Sequence, residues 1–168
     1  MKFSHIVILI ISFFVSANTA FSQTSSGTQE YGDGGAYEGE FLNGLPHGNG
    51  TYELPNGYRY VGEWFEGEIN GQGEALFPNG SVYVGSFVKG KPEGSGKITF
   101  SDGGTYEGEW ANGSISGVGY AKYANGTTYQ GSFLDAMHNG KGIMNSPDGY
   151  VSVSYTHLTL PTKFVGGW

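Results

Sequence analysis

Four histidines, fifteen carboxylates and no cysteine are the groups with which this 168-residue chain could bind a metal or move protons. Their spacing argues against both. His5 and His157 stand near the two ends, and His47 and His138 are each isolated, so loop hydrogen bonding is their expected use. The acids occur in alternation, as in Glu38/Glu40 and Glu107/Glu109. That spacing puts both members on one face of a strand, where solvation is the expected role. No Ser/His/Asp arrangement or EF-hand loop occurs, and the Gly-x-Gly pairs are followed by no helical pattern, so they are not nucleotide fingerprints. Without cysteine there is no disulfide, thiolate metal site or thiol nucleophile. The sequence therefore assigns no catalytic residue, no metal ligand and no cofactor, and the expectation is that the chain is not an enzyme. A net charge of −7 excludes a nucleic-acid partner. What remains is aromatic: 15% of the residues are Phe, Trp or Tyr. Regularly spaced rings either form a platform that stacks on a ligand or make a core.

The rings are strictly periodic. Tyr37, Tyr60, Tyr83, Tyr106 and Tyr129 stand 23 residues apart with no insertion. Each is followed two residues later by glycine and four residues later by a second large aromatic: Phe41, Trp64, Phe87, Trp110 and Phe133. These ten aromatics are the candidate binding residues. A second glycine pair follows in every unit, and each unit closes on Asn or Asp before glycine, at Gly57, Gly80, Gly103, Gly126 and Gly149. These five are the expected turn glycines, because glycine accepts the left-handed region that such turns use. The units run 37–59, 60–82, 83–105, 106–128 and 129–151, and a half unit over 23–36 precedes them.

Each unit reads as strand, turn, strand, turn. Tyr37–Phe41 and Gly50–Leu54 alternate apolar or small residues with polar ones at period two. Asn43-Gly44 and Pro55-Asn56-Gly57 supply the turns between them. No stretch sustains a helical apolar period. The expected fold is all-β: an open, single-layer antiparallel meander of stacked hairpins, roughly eleven strands long. Parity puts the Tyr, Gly and Phe/Trp positions on one face, with Tyr52, Leu54, Phe77 and Phe100, and puts the glutamates on the other. Interior strand glycines cost about 0.5–1 kcal/mol each relative to alanine. Their recurrence is expected to make room for rings from neighbouring strands.

Both ends read differently. Residues 1–22 have the form of a secretory signal peptide: Lys2, an apolar run from Ile6 to Val15, then small residues up to Ser22. This predicts a secreted, periplasmic or cell-surface protein of a Gram-negative bacterium. Residues 152–168 read as a fusion scar, because Val153–Thr162 resembles the translation of a sequencing adapter, and the repeat phase calls for Tyr where Ser152 stands. The natural chain is expected to continue past Val151. Without Lys2 and Lys163, six cations face fifteen acids, a net charge of −9.

The unit Tyr-x-Gly-x-Trp/Phe, then His-Gly-x-Gly, then Asn-Gly is clearest in residues 37–50 and 60–67. It resembles the MORN repeat, over about 27–151. The resemblance implies an elongated sheet of stacked hairpins with an aromatic-lined groove. It also implies scaffold, dimerisation or membrane-association roles rather than catalysis. The expected function is a binding or scaffold module of the cell envelope, engaging a protein partner or another copy of itself. A membrane surface, a cell-wall glycan, or service as the accessory region of an enzyme are the alternatives. In the fifth unit Ala136 replaces the turn glycine and Ser146 replaces the strand-end aromatic, which puts the last hairpin in question.

Overall fold

The structure, a computed structural model, describes residues 23–154. Twelve strands follow one another: β1 Thr24–Glu30, β2 Ala36–Leu42, β3 Leu45–Glu53, β4 Arg59–Phe65, β5 Glu68–Leu76, β6 Val82–Val88, β7 Lys91–Thr99, β8 Thr105–Ala111, β9 Ser114–Lys122, β10 Thr128–Leu134, β11 Met137–Asn145 and β12 Val151–Ser154. They form one sheet in sequence order, and no helix occurs among the described residues. Every neighbouring pair is antiparallel. The expected meander is therefore observed, one strand longer than read, with β12 as the addition. Residues 152–154 of the segment read as foreign lie in β12, paired with β11. The remainder of that segment and the leader 1–22 lie outside the described residues.

Two kinds of turn alternate along the sheet, and both follow from their residues. Between the strands of a unit lie two-residue turns in which both positions are left-handed, with φ of 52° and 81° at Asn43-Gly44 and 51° and 86° at Asn112-Gly113. This geometry matches the right-handed twist of the flanking strands. Between units, only the glycine is left-handed: Gly57 has φ 92°, and Gly80, Gly103, Gly126 and Gly149 have 84–88°. The preceding Asn or Asp contributes through its side chain instead. Asn56 Oδ1 accepts from the Tyr58 amide at 2.9 Å, and Asn79 does the same for Ser81. The fifth hairpin closes despite its missing glycine, with Ala136 itself at φ 60°.

Pairing within each unit carries a bulge. Gly39 opposes Gly50, and the next pair is Phe41 with Pro46, so β3 advances four residues while β2 advances two. The same shift recurs in every later unit. The bulge frees a backbone amide, and a glutamate on the opposite face accepts from it. Glu40 Oε1 takes the Asn49 N–H at 3.0 Å, Glu63 Oε2 the Gln72 N–H at 2.8 Å, and Glu109 Oε2 the Val118 N–H at 2.9 Å. These glutamates are therefore structural acceptors, a correction to the purely solvated role expected for Glu40 and Glu109. Tips also lean on the preceding unit: the amides of Gly67, Gly90 and Gly113 donate to the carbonyls of Pro46, Ile69 and Pro92 at 2.8–2.9 Å.

Candidate binding groove

The aromatic face is a continuous ladder of edge-to-face rings. Tyr37 packs on Phe41 and on Trp64 of the next unit, with centroids 5.1 and 4.9 Å apart. Tyr60 meets Trp64 and Phe87 at 5.8 and 5.0 Å, and Tyr83 meets Phe87 and Trp110 at 5.0 and 4.9 Å. Tyr106 meets Trp110 and Phe133 at 5.8 and 5.0 Å. Such pairs contribute about 0.5–1.5 kcal/mol beyond their area burial.

The glycine pairs make this packing possible. Gly62 opposes Gly73 and Gly108 opposes Gly119. A Cβ at Gly73 would overlap the Tyr60 ring, and one at Gly119 the Tyr106 ring. The ring that fills the space comes from the neighbouring strand, as expected, and that strand is the partner in the same hairpin. Each tyrosine hydroxyl then reaches past its glycine to donate to the carbonyl three residues on. Tyr37 bonds Glu40 at 2.7 Å, Tyr60 Glu63 at 3.0 Å, Tyr83 Ser86 at 3.0 Å, Tyr106 Glu109 at 3.0 Å and Tyr129 Ser132 at 3.3 Å. Burial pushes the Tyr83 and Tyr106 hydroxyls up to about 12, and raises that of Tyr60 as well.

All ten rings singled out in the sequence lie on this face, but at different depths. The five tyrosines are 0–1% exposed, and Phe87, Phe133, Trp110 and Trp64 are 1–8% exposed; Phe41, in the first unit, is half-buried. They form the floor and core. Trp110 Nε1 donates to the Gly96 carbonyl at 3.2 Å, whereas Trp64 Nε1, in the same position two units earlier, is buried without a partner.

Above this floor the coiled sheet closes a groove of about 880 Å³. One wall comes from the turns between units, with Leu54, Tyr58, Phe77 and Phe100. The other comes from the hairpin tips, with Pro92, Ile115 and Ala136. Tyr58, Phe77 and Phe100 are half-buried, so they keep surface that the floor rings do not. Lys91 and Asp135 are the charged residues of the lining. No group of three metal-ligating side chains occurs among the described residues. The groove is built to bury apolar ligand surface against rings.

The histidines differ from expectation. His138 is not in a loop: it lies in β11, 6% exposed, at the position held by Pro46, Ile69, Pro92 and Ile115 in the other units. Its ring stacks on Tyr129 at 3.6 Å and 14°, where the earlier tyrosines have a ring of the next unit as their second partner. Its Nε2 bonds the Tyr123 hydroxyl at 2.6 Å. Burial lowers its basicity. His47, in β3, accepts a long 3.5 Å bond from the Glu66 amide and faces Phe65. The two share neither a site nor a phase.

A family model described as MORN repeat matches five times, over residues 37–57, 60–82, 83–105, 106–128 and 129–149. No curated protein matches the chain significantly. Among solved structures, the TCP domain of Drosophila melanogaster SAS-4 (dCPAP), in complex with a proline-rich motif of Ana2 (dSTIL), is similar at TM-score 0.42 and 15% identity, over 89% of this chain and 99% of that one. The TCP10 domain of Danio rerio CPAP, in complex with a peptide of STIL, is similar at TM-score 0.23 and 18% identity, over 78% and 70%. Both scores are too low to carry an argument.

Proposed function

The chain belongs to the MORN-repeat family, and from that premise we propose that it is a non-enzymatic binding module of the bacterial cell envelope, secreted by its first 22 residues, which holds a protein partner in its concave groove. The observation that carries this reading is the groove itself: half-buried Leu54, Phe77 and Phe100 on one wall, one from each of three successive units, above a floor already sealed by its own packing. Repeat arrays of this kind are interaction surfaces, because each unit adds the same contact to a continuous wall. An anionic membrane is a poor partner for a described array with six cations against fifteen acids.

Capture from envelope fractions by cross-linking tests this. The wild-type array is compared with Phe77→Ser/Phe100→Ser in the groove and with Val61→Ser/Val84→Ser on the opposite face. Loss of the same captured proteins in the groove variant alone supports the reading; equal capture by both variants contradicts it. Self-association is the second reading, because among the described residues β1 and β12 are paired on one side only. Light scattering at increasing concentration separates it from partner binding.

A further inference from the structure

With the groove as the binding face proposed above, we infer that its occupant is a proline-rich segment in the polyproline II conformation, carrying basic residues among its prolines. The repeat distance of the wall selects this conformation. Leu54, Phe77 and Phe100 line the groove one per unit, and each unit adds two strands. At about 4.8 Å per strand, the wall repeats about every 9.6 Å. A polyproline II helix rises 3.1 Å per residue with three residues per turn, about 9.3 Å per turn. Every third ligand residue therefore meets the same place in successive units. An extended strand presents same-side residues about every 6.7 Å, and an α-helix turns about every 5.4 Å. The strand falls out of step within one unit, and two helical turns, about 10.8 Å, drift by about 1.2 Å per unit against about 0.3 Å for polyproline II.

The lining agrees with that backbone. Tyr58 and Phe77, packed on one another with centroids 5.8 Å apart, and Phe100 give the wall half-buried aromatic surface of the kind that pyrrolidine rings dock against. The Asn56 and Asn79 side chains also line the groove; their Oδ1 atoms are taken by the Tyr58 and Ser81 amides, which leaves the Nδ2 donors for the solvated carbonyls of a polyproline II chain. Asp135 at the tip wall favours a cation on the ligand, placed away from Lys91.

The test is fluorescence anisotropy with three labelled peptides of equal length and charge: one with proline at every third position and arginines between, one with valines in place of the prolines, and one with glycine and serine. The proline peptide is expected to bind about tenfold or more tighter than the other two. Phe100→Ala is expected to weaken it about tenfold. Asp135→Asn, which keeps a residue tolerant of φ 49° at that tip, weakens it a few-fold and reduces its salt dependence, while Val84→Ser on the opposite face leaves it unchanged. Circular dichroism verifies that each variant is folded, and Asp135→Asn carries the test if Phe100→Ala is not. Binding of the valine peptide equal to or tighter than the proline peptide, still dependent on Phe100, overturns the conformation while the groove reading stands. No saturable binding of the proline peptide overturns the inference as well. Binding insensitive to both groove variants overturns the groove reading with it.

Discussion

The Tyr106 ring lies where a side chain on Gly119 would have to go, so the two positions form one steric unit across the β8–β9 pair. The same unit recurs at Tyr60 and Gly73, and at Tyr83 and Gly96. It explains why a sheet this rich in glycine holds together: the flexibility cost of each pair is offset by a fully buried ring whose hydroxyl bonds the backbone.

Gly119→Ala should therefore destabilise the array by about 1–3 kcal/mol, the usual cost of overpacking a rigid site. Gly27→Ala is the control. Its Cβ would meet only Phe41, at 3.8 Å, and no left-handed φ is involved, so the change should stay within about 0.5 kcal/mol. Urea unfolding of the two variants and the wild type measures the difference.

Ala136→Gly should stabilise. Ala136 sits at φ 60°, where glycine occupies the same turn position in the other four units. A side chain there costs about 1–2 kcal/mol. The hydrogen bond that the residue 136 amide donates to the Ile115 carbonyl, 2.9 Å, is kept by the substitution. Slower amide exchange in β10 and β11, with a higher unfolding midpoint, is the expected readout.

Stability should fall on the acid side through His138. Three rings, Tyr123, Tyr129 and Phe133, surround it, and burial depresses its folded-state pKa below the ordinary 6.5. The unfolded chain then binds the proton first, so the contribution is complete above pH 6.5 and is lost as the pH falls through the folded value. His138→Ile, the residue that Ile115 supplies in the preceding unit, should remove this dependence. Thermal unfolding between pH 7.5 and 5 checks it.

On the alkaline side the sign reverses. Tyr83 and Tyr106 ionise at about 12 in the folded array, against an ordinary value of 10. The folded state keeps protons that the unfolded state releases. Stability should thus be constant up to pH 10 and decline between 10 and 12. Tyrosine absorbance should rise in two stages, with the second coincident with loss of the circular-dichroism signal.

The first strand of each unit, the turns and the face of the ladder rings were legible in the sequence because each depends on parity and on local backbone preference; the second strand, read as Gly50–Leu54, begins five residues earlier at Leu45 and ends at Glu53. Tyr37, Gly39 and Phe41 share a face by alternation alone, and Asn43-Gly44 marks its own turn. The bulge was not legible. It depends on how β3 pairs with β2, and the 23-residue period is silent about pairing; that is why Glu40 and Glu109 read as solvated. His138 left a signal that phase alignment reveals, since its column otherwise holds only Pro and Ile. The groove was the least legible feature. Leu54 and Ala136 line one recess because the sheet coils over several units, and coiling is a sum of small twists that no single unit encodes. The rings with the clearest periodicity consequently became the floor, and the less conspicuous Phe77 and Phe100 the wall.

Hydroxyl-radical footprinting, read residue by residue by mass spectrometry with and without the proline-rich peptide, tests the account most directly. Tyr58, Phe77 and Phe100 should be oxidised in the free protein and protected by the peptide, while Tyr37, Tyr60, Tyr83, Tyr106 and Tyr129 remain unlabelled in both. Labelling of those five tyrosines at the rate of the exposed Tyr150, or protection that falls on Val84 and Val118 of the opposite face, would contradict it.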